Sequence, residues 1–279
     1  MTVDEYLAAN RANWDDRTGI HVESQFYDVD GWLRDQTGPP AREIEALGDL
    51  TGLRLVHLQC HFGLDTMQWA RVGADVTGLD FSPAAIDAAR NIARRAGFED
   101  RARFVCANVF DAVEALEHDT FDVVCVTLGA LCWLPSVERW ANQVGALLKP
   151  GGRLYLHEAH PVSWALHDEQ PCFRDSYFEE PGPFVADFDT TYTDAARPLQ
   201  HTRHYEWNHG LGEIVNALVG HGLQLDSLLE HDWTVWPRFT WLVSHDKHHW
   251  TSPPDRPRMP LSFTLLAHKP PAHEERVDG

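Results

Sequence analysis

Between residues 53 and 159 short apolar runs alternate with segments of helical period. Residues 53–58 read as a buried strand that runs into a tight polar loop, Gln59-Cys60-His61-Phe62-Gly63. A helix follows to Arg71 with Met67 and Ala70 on one face, and Gly73 breaks it. Residues 74–79 form a second strand ending at Asp80. Ser82 caps the next helix, Pro83 sits where a missing N–H costs nothing, and Ile86, Ala89 and Ala93 share its inner face up to Gly97. Residues 103–106 are a third strand; 121–126 are a fourth, near-continuously apolar and so predicted to be buried on both faces. Val137, Trp140, Ala141, Val144, Leu147 and Leu148 repeat at helical spacing, Lys149-Pro150-Gly151-Gly152 stops that helix, and 153–157 are a fifth strand. Strands alternating with helices in this way predict an α/β fold, doubly wound on a mostly parallel sheet with right-handed crossovers.

The flanks read differently. Residues 1–50 carry one amphipathic helix followed by aromatic text punctuated by Gly and Pro, an N-terminal cap or lid for the core at 51–160. Residues 161–205 form an insertion too aromatic for disorder, with Trp164, Phe173, Tyr177, Phe178, Phe184, Phe188 and Tyr192. Residues 208–219 are a helix with Ile214, Val215 and Leu218 inward. Residues 223–234 and 260–268 are two strands that bring the sheet to seven with an antiparallel edge, so that 206–270 close the same domain. The tail at 271–279 is expected to be disordered.

Composition narrows the partners. The chain has 279 residues and 42 acidic against 23 basic side chains, a formal net charge of −19 that repels phosphate backbones and anionic membranes. No nucleic acid and no membrane is therefore expected. No apolar stretch approaches the ~20 residues of a spanning helix, and the N-terminus lacks a signal-peptide pattern. Five cysteines without CxxC spacing read as reduced thiols of a cytoplasmic protein, and no metal is expected.

In an open parallel sheet a ligand sits beyond the carboxyl ends of the strands, where the strand order reverses. That rule nominates Gln59 to Gly63, Asp80 to Ser82, Asn108 with Val109, Thr127 to Gly129, and His157 to His160. A carboxylate ending the second strand accepts both hydroxyls of a ribose, because it has two oxygens and only acceptor capacity; a turn carboxylate is the plainer alternative. A pyrophosphate needs GxGxxG in the first loop, whereas here Gln59, Cys60 and His61 precede the single Gly63. The loop suits an adenosine ligand without a pyrophosphate.

Asp80, Asn108, the 123–126 strand, the Leu147-Leu148-Lys149-Pro150-Gly151-Gly152 turn and the run His57-Leu58-Gln59-Cys60-His61-Phe62-Gly63-Leu64-Asp65-Thr66 resemble the class I S-adenosylmethionine-dependent methyltransferases, in a bacterial small-molecule branch. The family's usual text, Asp/Glu-x-Gly-x-Gly-x-Gly, is replaced at His57, Gln59 and His61. The resemblance implies a Rossmann-like methyltransferase fold, S-adenosyl-L-methionine as cofactor with S-adenosyl-L-homocysteine as product, and a small-molecule substrate on a monomer or homodimer. It also implies that Asp80 binds the ribose, with Ser82 beside it, and that Phe81, Asn108 and Val109 meet the adenine. Gln59, Cys60, Gly63, Thr66, Thr127 and Leu128 would surround the methionine part, and Trp14 would close over the cofactor. His157 and Glu158 are candidates for an acid–base pair, with polar packing as the alternative. Tyr27, Trp32, His160, Trp164, Tyr177, Trp233 and Trp236 are candidates for a substrate wall, while His245, His248 and His249 read as a solvated loop. A cyclisation using the same cofactor, a non-catalytic binder of it, and a nicotinamide enzyme are the other readings; the last lacks its glycine loop.

Overall fold

Each apolar run picked out between residues 53 and 159 forms a strand in the computed structural model, which describes residues 1–170, 172–194 and 196–272. Three helices come first, α1 (Val3–Glu23), α2 (Val29–Asp35) and α3 (Ala41–Leu47). The core then runs β1 (Arg54–Leu58), α4 (Leu64–Arg71), β2 (Asp75–Asp80), α5 (Pro83–Ala96), β3 (Ala102–Cys106), the single-turn α6 (Ala112–Ala115), β4 (Phe121–Thr127), α7 (Val137–Leu147) and β5 (Leu148–Ala159). The insertion holds the short α8 (Pro161–Ala165) and β6 (Phe184–Asp187), which pairs antiparallel with β7 (Arg203–Glu206). After α9 (Leu211–Gly220) come β8 (Gln224–His231), β9 (Trp233–Thr234), β10 (Val243–Asp246), β11 (His249–Thr251) and β12 (Ser262–His268). Most of the expected tail, 273–279, lies outside the described residues.

The main sheet has the order β3-β2-β1-β4-β5-β12-β8, and β1 pairs in parallel with both β2 and β4, so the order reverses there. β12 runs antiparallel to both β5 and β8, which puts the antiparallel strand one place in from the edge rather than at it. The run read as one strand over 223–234 is broken at Asp232: Trp233 and Thr234 leave the main sheet and pair with β11. Likewise, the histidines read as a solvated loop lie on or beside β10 and β11, which pair as an antiparallel hairpin.

Local sequence chemistry explains the core helices. On α5 the Ser82 hydroxyl accepts the Ala85 N–H at 3.1 Å, Pro83 fills the first turn and Gly97 ends the helix at φ 75°. Its inner face buries Ala85, Ile86, Ala89, Ile92 and Ala93 against one side of the sheet, while Val137, Trp140, Val144 and Leu147 of α7 cover the other. The helix ends at Leu147, at the expected stop, and 149–152 already belong to β5, which is entered directly from α7. Gly151, at φ 78°, turns its N–H to the Lys269 carbonyl at 2.8 Å, and the Lys269 ammonium donates to the carbonyls of Gly145 and Leu148 at 2.8 and 2.9 Å. Carbonyls at a helix end have no partner inside the helix, so this lysine supplies one.

The first helix departs from expectation. α1 is not amphipathic in the usual sense: its buried residues are Asn10, Asn13, Arg17, Thr18, Ile20 and His21. Its buried asparagines bond to backbone, while Tyr6, Leu7 and Trp14 pack on side chains. The Asn10 amide donates to the Tyr205 carbonyl and accepts the Tyr205 N–H, both at 2.8 Å, and Asn13 donates to the His201 carbonyl at 2.6 Å. Among the described residues no helix is long and apolar enough to cross a membrane.

Candidate active site

The carboxyl ends of β1, β2, β3 and β4 open into a cavity of about 140 Å³, roofed by Leu7 and Trp14 of α1, Tyr27 of the turn after it and Tyr192 of the insertion. Gln59, Cys60, Gly63, Asp80, Phe81, Asn108, Val109, Thr127 and Leu128 all line it, as does Trp14. The first loop has an unusual backbone. Gln59, His61 and Gly63 have φ of 57°, 52° and 76°, so alternate residues occupy the left-handed region. Gly63 has no substitute, because a Cβ there would lie 2.5 Å from the Phe104 ring. At Gln59 and His61 the same conformation costs about 1–2 kcal/mol per residue. It is held by contacts: Gln59 Nε2 donates to the Ala130 carbonyl at 2.7 Å, and the His61 N–H donates to Asp80 Oδ2 at 2.8 Å. The loop thus keeps a glycine-like path while carrying side chains. Two of their polar atoms, Gln59 Oε1 and His61 Nε2, are buried with no hydrogen-bond partner among the described residues.

Asp80 ends β2 as a buried carboxylate. Burial raises its pKa to about 6; the N–H groups of Ser82 and His61 oppose that rise, and Asp15 adds to it. Ser82 donates its N–H to Oδ1 at 2.9 Å, so each oxygen already accepts one bond and keeps room for a second. Asn108 Oδ1 accepts the Phe110 N–H at 3.0 Å, leaving the amide nitrogen available. Beneath the loop, His57 joins Thr66 and Thr127, with Nδ1 2.8 Å from the Thr66 hydroxyl and Nε2 3.0 Å from that of Thr127. The Thr127 hydroxyl donates to Asp65 Oδ2 at 3.2 Å, so Nε2–H of His57 donates to Thr127 and Nδ1 accepts from Thr66. Burial lowers the His57 pKa to about 4 against the pull of Asp65.

A family model described as a methyltransferase domain matches residues 56–154, the stretch from β1 into β5 that supplies this loop, Asp80 and Asn108. Over this stretch the chain is similar to methyltransferase domains. It is 33% identical over 134 residues to a ubiquinone biosynthesis O-methyltransferase of Methylocella silvestris, covering 47% of this chain and 46% of that one. Similarity to a demethylmenaquinone methyltransferase of Clavibacter sepedonicus is 30% over 113 residues, covering 40% and 44%. The matches thus span less than half the length of these curated relatives. Among solved structures, the CcbJ methyltransferase from Streptomyces caelestis shares the fold at a TM-score of 0.60 and 15% identity, over 94% of this chain and 99% of that one.

Two residues expected at the cofactor stand behind the cavity wall. Thr66 is fully buried against His57, and Ser82 caps α5 while its hydroxyl donates to Asp15. The expected acid–base pair is not formed by His157 and Glu158. Glu158 is buried with its two oxygens accepting the N–H groups of Gly129, Ala130, Leu131 and Ala159 at 2.5 to 2.9 Å, so it fixes the loop after β4. Burial raises its pKa, against those four donors. His157 lies outside the cavity, its ring 5.3 Å from Trp233, and burial lowers its pKa to about 3.

Of the seven substrate-wall candidates, only Tyr27 lines the cavity. Trp32 packs under Arg71 in the core, the guanidinium carbon 4.1 Å from its ring centre. His160 caps α8 and meets Glu230 at 2.9 Å, and Trp233 stacks on His231. Trp164 and Trp236 pack near each other, and the Tyr177 hydroxyl accepts the Leu211 N–H at the start of α9. Wall residues that sequence reasoning passed over include Leu7, Ala130, Trp133, Leu134 and Tyr192. Trp133 follows β4 closely and was within reach of the strand-end rule; Tyr192 was not, since it meets the Tyr27 hydroxyl across 165 residues of chain. Away from this cavity, Glu179, His209 and Glu213 bring three potential ligand atoms within 4.8 Å, but His209 pairs with Glu179, and Glu213 accepts the Gly210 N–H.

Proposed function

We propose that this chain transfers a methyl group from S-adenosylmethionine to a small-molecule acceptor held under α1 and the insertion. The observation that carries the reading is the first loop, whose Gln59, His61 and Gly63 keep a glycine-like path beside a buried Asp80 at the end of β2. Asp80 accepts the ribose hydroxyls with its two free acceptor sites, Phe81 and Val109 flank the adenine, and Asn108 meets its polar edge. The unpartnered Gln59 Oε1 and His61 Nε2, with the backbone at Thr127 and Leu128, fit the amino-acid end, and Trp14 covers it. Thr66 and Ser82 support these groups from behind. When bound, the cofactor supplies a methyl group on a sulfonium, which leaves readily as a thioether. The protein's part is to hold the acceptor in line and to exclude water, which is where Tyr27, Trp133 and Tyr192 act. No proton transfer is assigned to His157 or Glu158.

In this reading residues 1–50 and 161–205 are the cover and pocket, and 51–160 with 206–270 are one sheet domain. We place the enzyme in the cytoplasm as a monomer or homodimer without a nucleic-acid partner, in keeping with its five free cysteines and net charge of −19.

Calorimetric titration tests the reading: S-adenosylmethionine and S-adenosylhomocysteine should bind at micromolar concentrations and NADH should not. Asp80→Ala should weaken both by more than about tenfold, since losing charge-assisted bonds worth over ~1.4 kcal/mol costs a factor of ten. The affinity should also fall as the pH drops through about 6, where the Asp80 carboxylate gains a proton and loses acceptor capacity. His57 and His61, held by burial at about 4 and about 3, stay neutral through that window. Tight NADH binding, or unchanged affinity in a folded Asp80 variant, would remove the assignment.

A further inference from the structure

Outside the cavity, the insertion and the start of α9 bring together Glu179, His209 and Glu213, whose potential ligand atoms lie within 4.8 Å of one another. Their neighbours hold them there. Asn208 Nδ2 donates to the Tyr177 carbonyl at 3.1 Å, and the Leu211 N–H donates to the Tyr177 hydroxyl at 3.2 Å, which pins the insertion to the residues around His209. The Gly210 N–H donates to Oε2 of Glu213 at 2.7 Å, and the other oxygen of that carboxylate takes no bond among the described residues.

His209 is the informative member. Its side chain is 1% exposed and stands between two acceptors. Nε2 lies 2.8 Å from the Leu134 carbonyl, and Nδ1 lies 2.9 Å from Oε2 of Glu179. A carbonyl only accepts, so Nε2 carries the proton of the neutral ring. Nδ1 then turns a lone pair, with no donor to meet it, toward a carboxylate. Two acceptors this close repel each other unless a cation lies between them, either a second proton on the ring or a metal ion.

The surroundings favour the metal ion. Glu179 and Glu213 form the walls of an open groove of about 560 Å³ together with Glu138 and Glu180, and His209 reaches Glu179 from behind that wall. Glu138 meets His221 at 2.8 Å, but among the described residues no lysine or arginine lies within ion-pair distance of Glu179, Glu180 or Glu213. A ring proton would balance one of those three carboxylates, whereas a divalent ion balances two. Metal-ligating imidazoles are also commonly oriented as this one is, with the far N–H on a backbone carbonyl.

We propose that Nδ1 of His209 and the carboxylates of Glu179 and Glu213 form a binding site for a divalent transition-metal ion of the zinc class. An imidazole nitrogen with two carboxylates suits zinc and its neighbours rather than magnesium, which prefers oxygen alone. Water from the groove completes the coordination. Glu179 belongs to the insertion and Glu213 to α9, and Leu134, which holds His209, is a wall of the first cavity. The ion therefore ties the insertion to the sheet domain and braces the loop after β4 without touching cofactor or acceptor. The site does not depend on the methyl-transfer reading.

The full chain, stripped of metal with a chelator, is titrated calorimetrically with zinc chloride and with magnesium chloride. Wild type should show a micromolar zinc site and bind magnesium at least about tenfold more weakly. Glu179→Gln and Glu213→Gln should each weaken that zinc site by about tenfold or more, since even the groups that orient a ligand are worth as much. Both variants keep their local bonds: the new amide in Glu179→Gln donates to Nδ1, and that in Glu213→Gln still accepts the Gly210 N–H. Glu138→Gln, elsewhere in the groove, should leave zinc affinity unchanged. Zinc should also raise the melting temperature of wild type and not that of Glu213→Gln. The proposal is overturned if wild type takes up no zinc, which would leave a ring proton between His209 and Glu179. It is overturned equally if the two ligand variants bind zinc as wild type does, which would move the ion to other histidines or to the cysteines. Magnesium bound as tightly as zinc would also overturn it, because the acidic groove alone would then be responsible.

Discussion

Helices α1 and α5 meet where the Ser82 hydroxyl donates to Asp15, yet they bury opposite chemistry. α5 turns alanines and isoleucines into the sheet, while α1 turns two asparagines, an arginine, a threonine and a histidine into the molecule. The apolar face of α5 needs only a hydrophobic surface of the right shape, and such contacts are non-directional. The polar face of α1 needs particular atoms at particular places, and it finds them on β7 and the segment before it, some 190 residues later. A scaffold helix is thus fixed by area, and a covering helix by address. The second kind of contact is weaker in total but specific, and it carries function here because Trp14 lies among the residues it fixes.

The contrast predicts graded effects. Ile86→Ala, deep in the scaffold, should cost about 2–4 kcal/mol of global stability in urea unfolding, as buried large-to-small changes do. A loss under ~1 kcal/mol would mean that α5 is not a core helix. Asn10→Ala breaks two bonds to the Tyr205 backbone and should cost about 1–3 kcal/mol, since it leaves buried backbone groups unpaired. Its signature is local: faster hydrogen exchange over residues 203–206 and weaker cofactor binding, with the exchange of the main-sheet strands unchanged. If exchange rises evenly across the molecule, α1 belongs to the scaffold after all. The smallest effect should come from Gln59→Gly. Removing left-handed strain gains about 1 kcal/mol, while losing the bond to Ala130 gives back about 0.5–1.5 kcal/mol. Thermal unfolding should therefore move little in either direction, and a large loss would show that the glutamine holds the loop together.

Legibility in the sequence followed the same division. Ser82, Pro83 and Gly97 announced α5 to within a residue, because capping is local chemistry that any reader of three letters can apply. The cavity positions from Gln59 to Leu128 were reachable because strand ends fix them once the strand order is known. The polar inner face of α1 was not reachable, since Asn10 and Asn13 resemble solvent-facing residues until their distant partners are seen. The strand-end rule also overreached. It nominated Glu158 as a chemical group when that carboxylate is spent on four backbone donors, a use that leaves no mark in a linear sequence. The aromatic candidates failed for a similar reason, because Trp32 and Tyr177 are large side chains placed by packing and capping rather than by the ligand.

Lys269 carries a consequence for how the molecule comes into being. The stretch that matches the methyltransferase model ends at residue 154, yet β5 is flanked by β12 over seven paired positions, and the end of α7 is capped by a lysine 115 residues beyond that point. During synthesis the central strands emerge early and must wait, with one side of β5 bare, until residues 262–269 have left the ribosome. The recognisable segment is therefore a unit of ancestry and not a unit of folding.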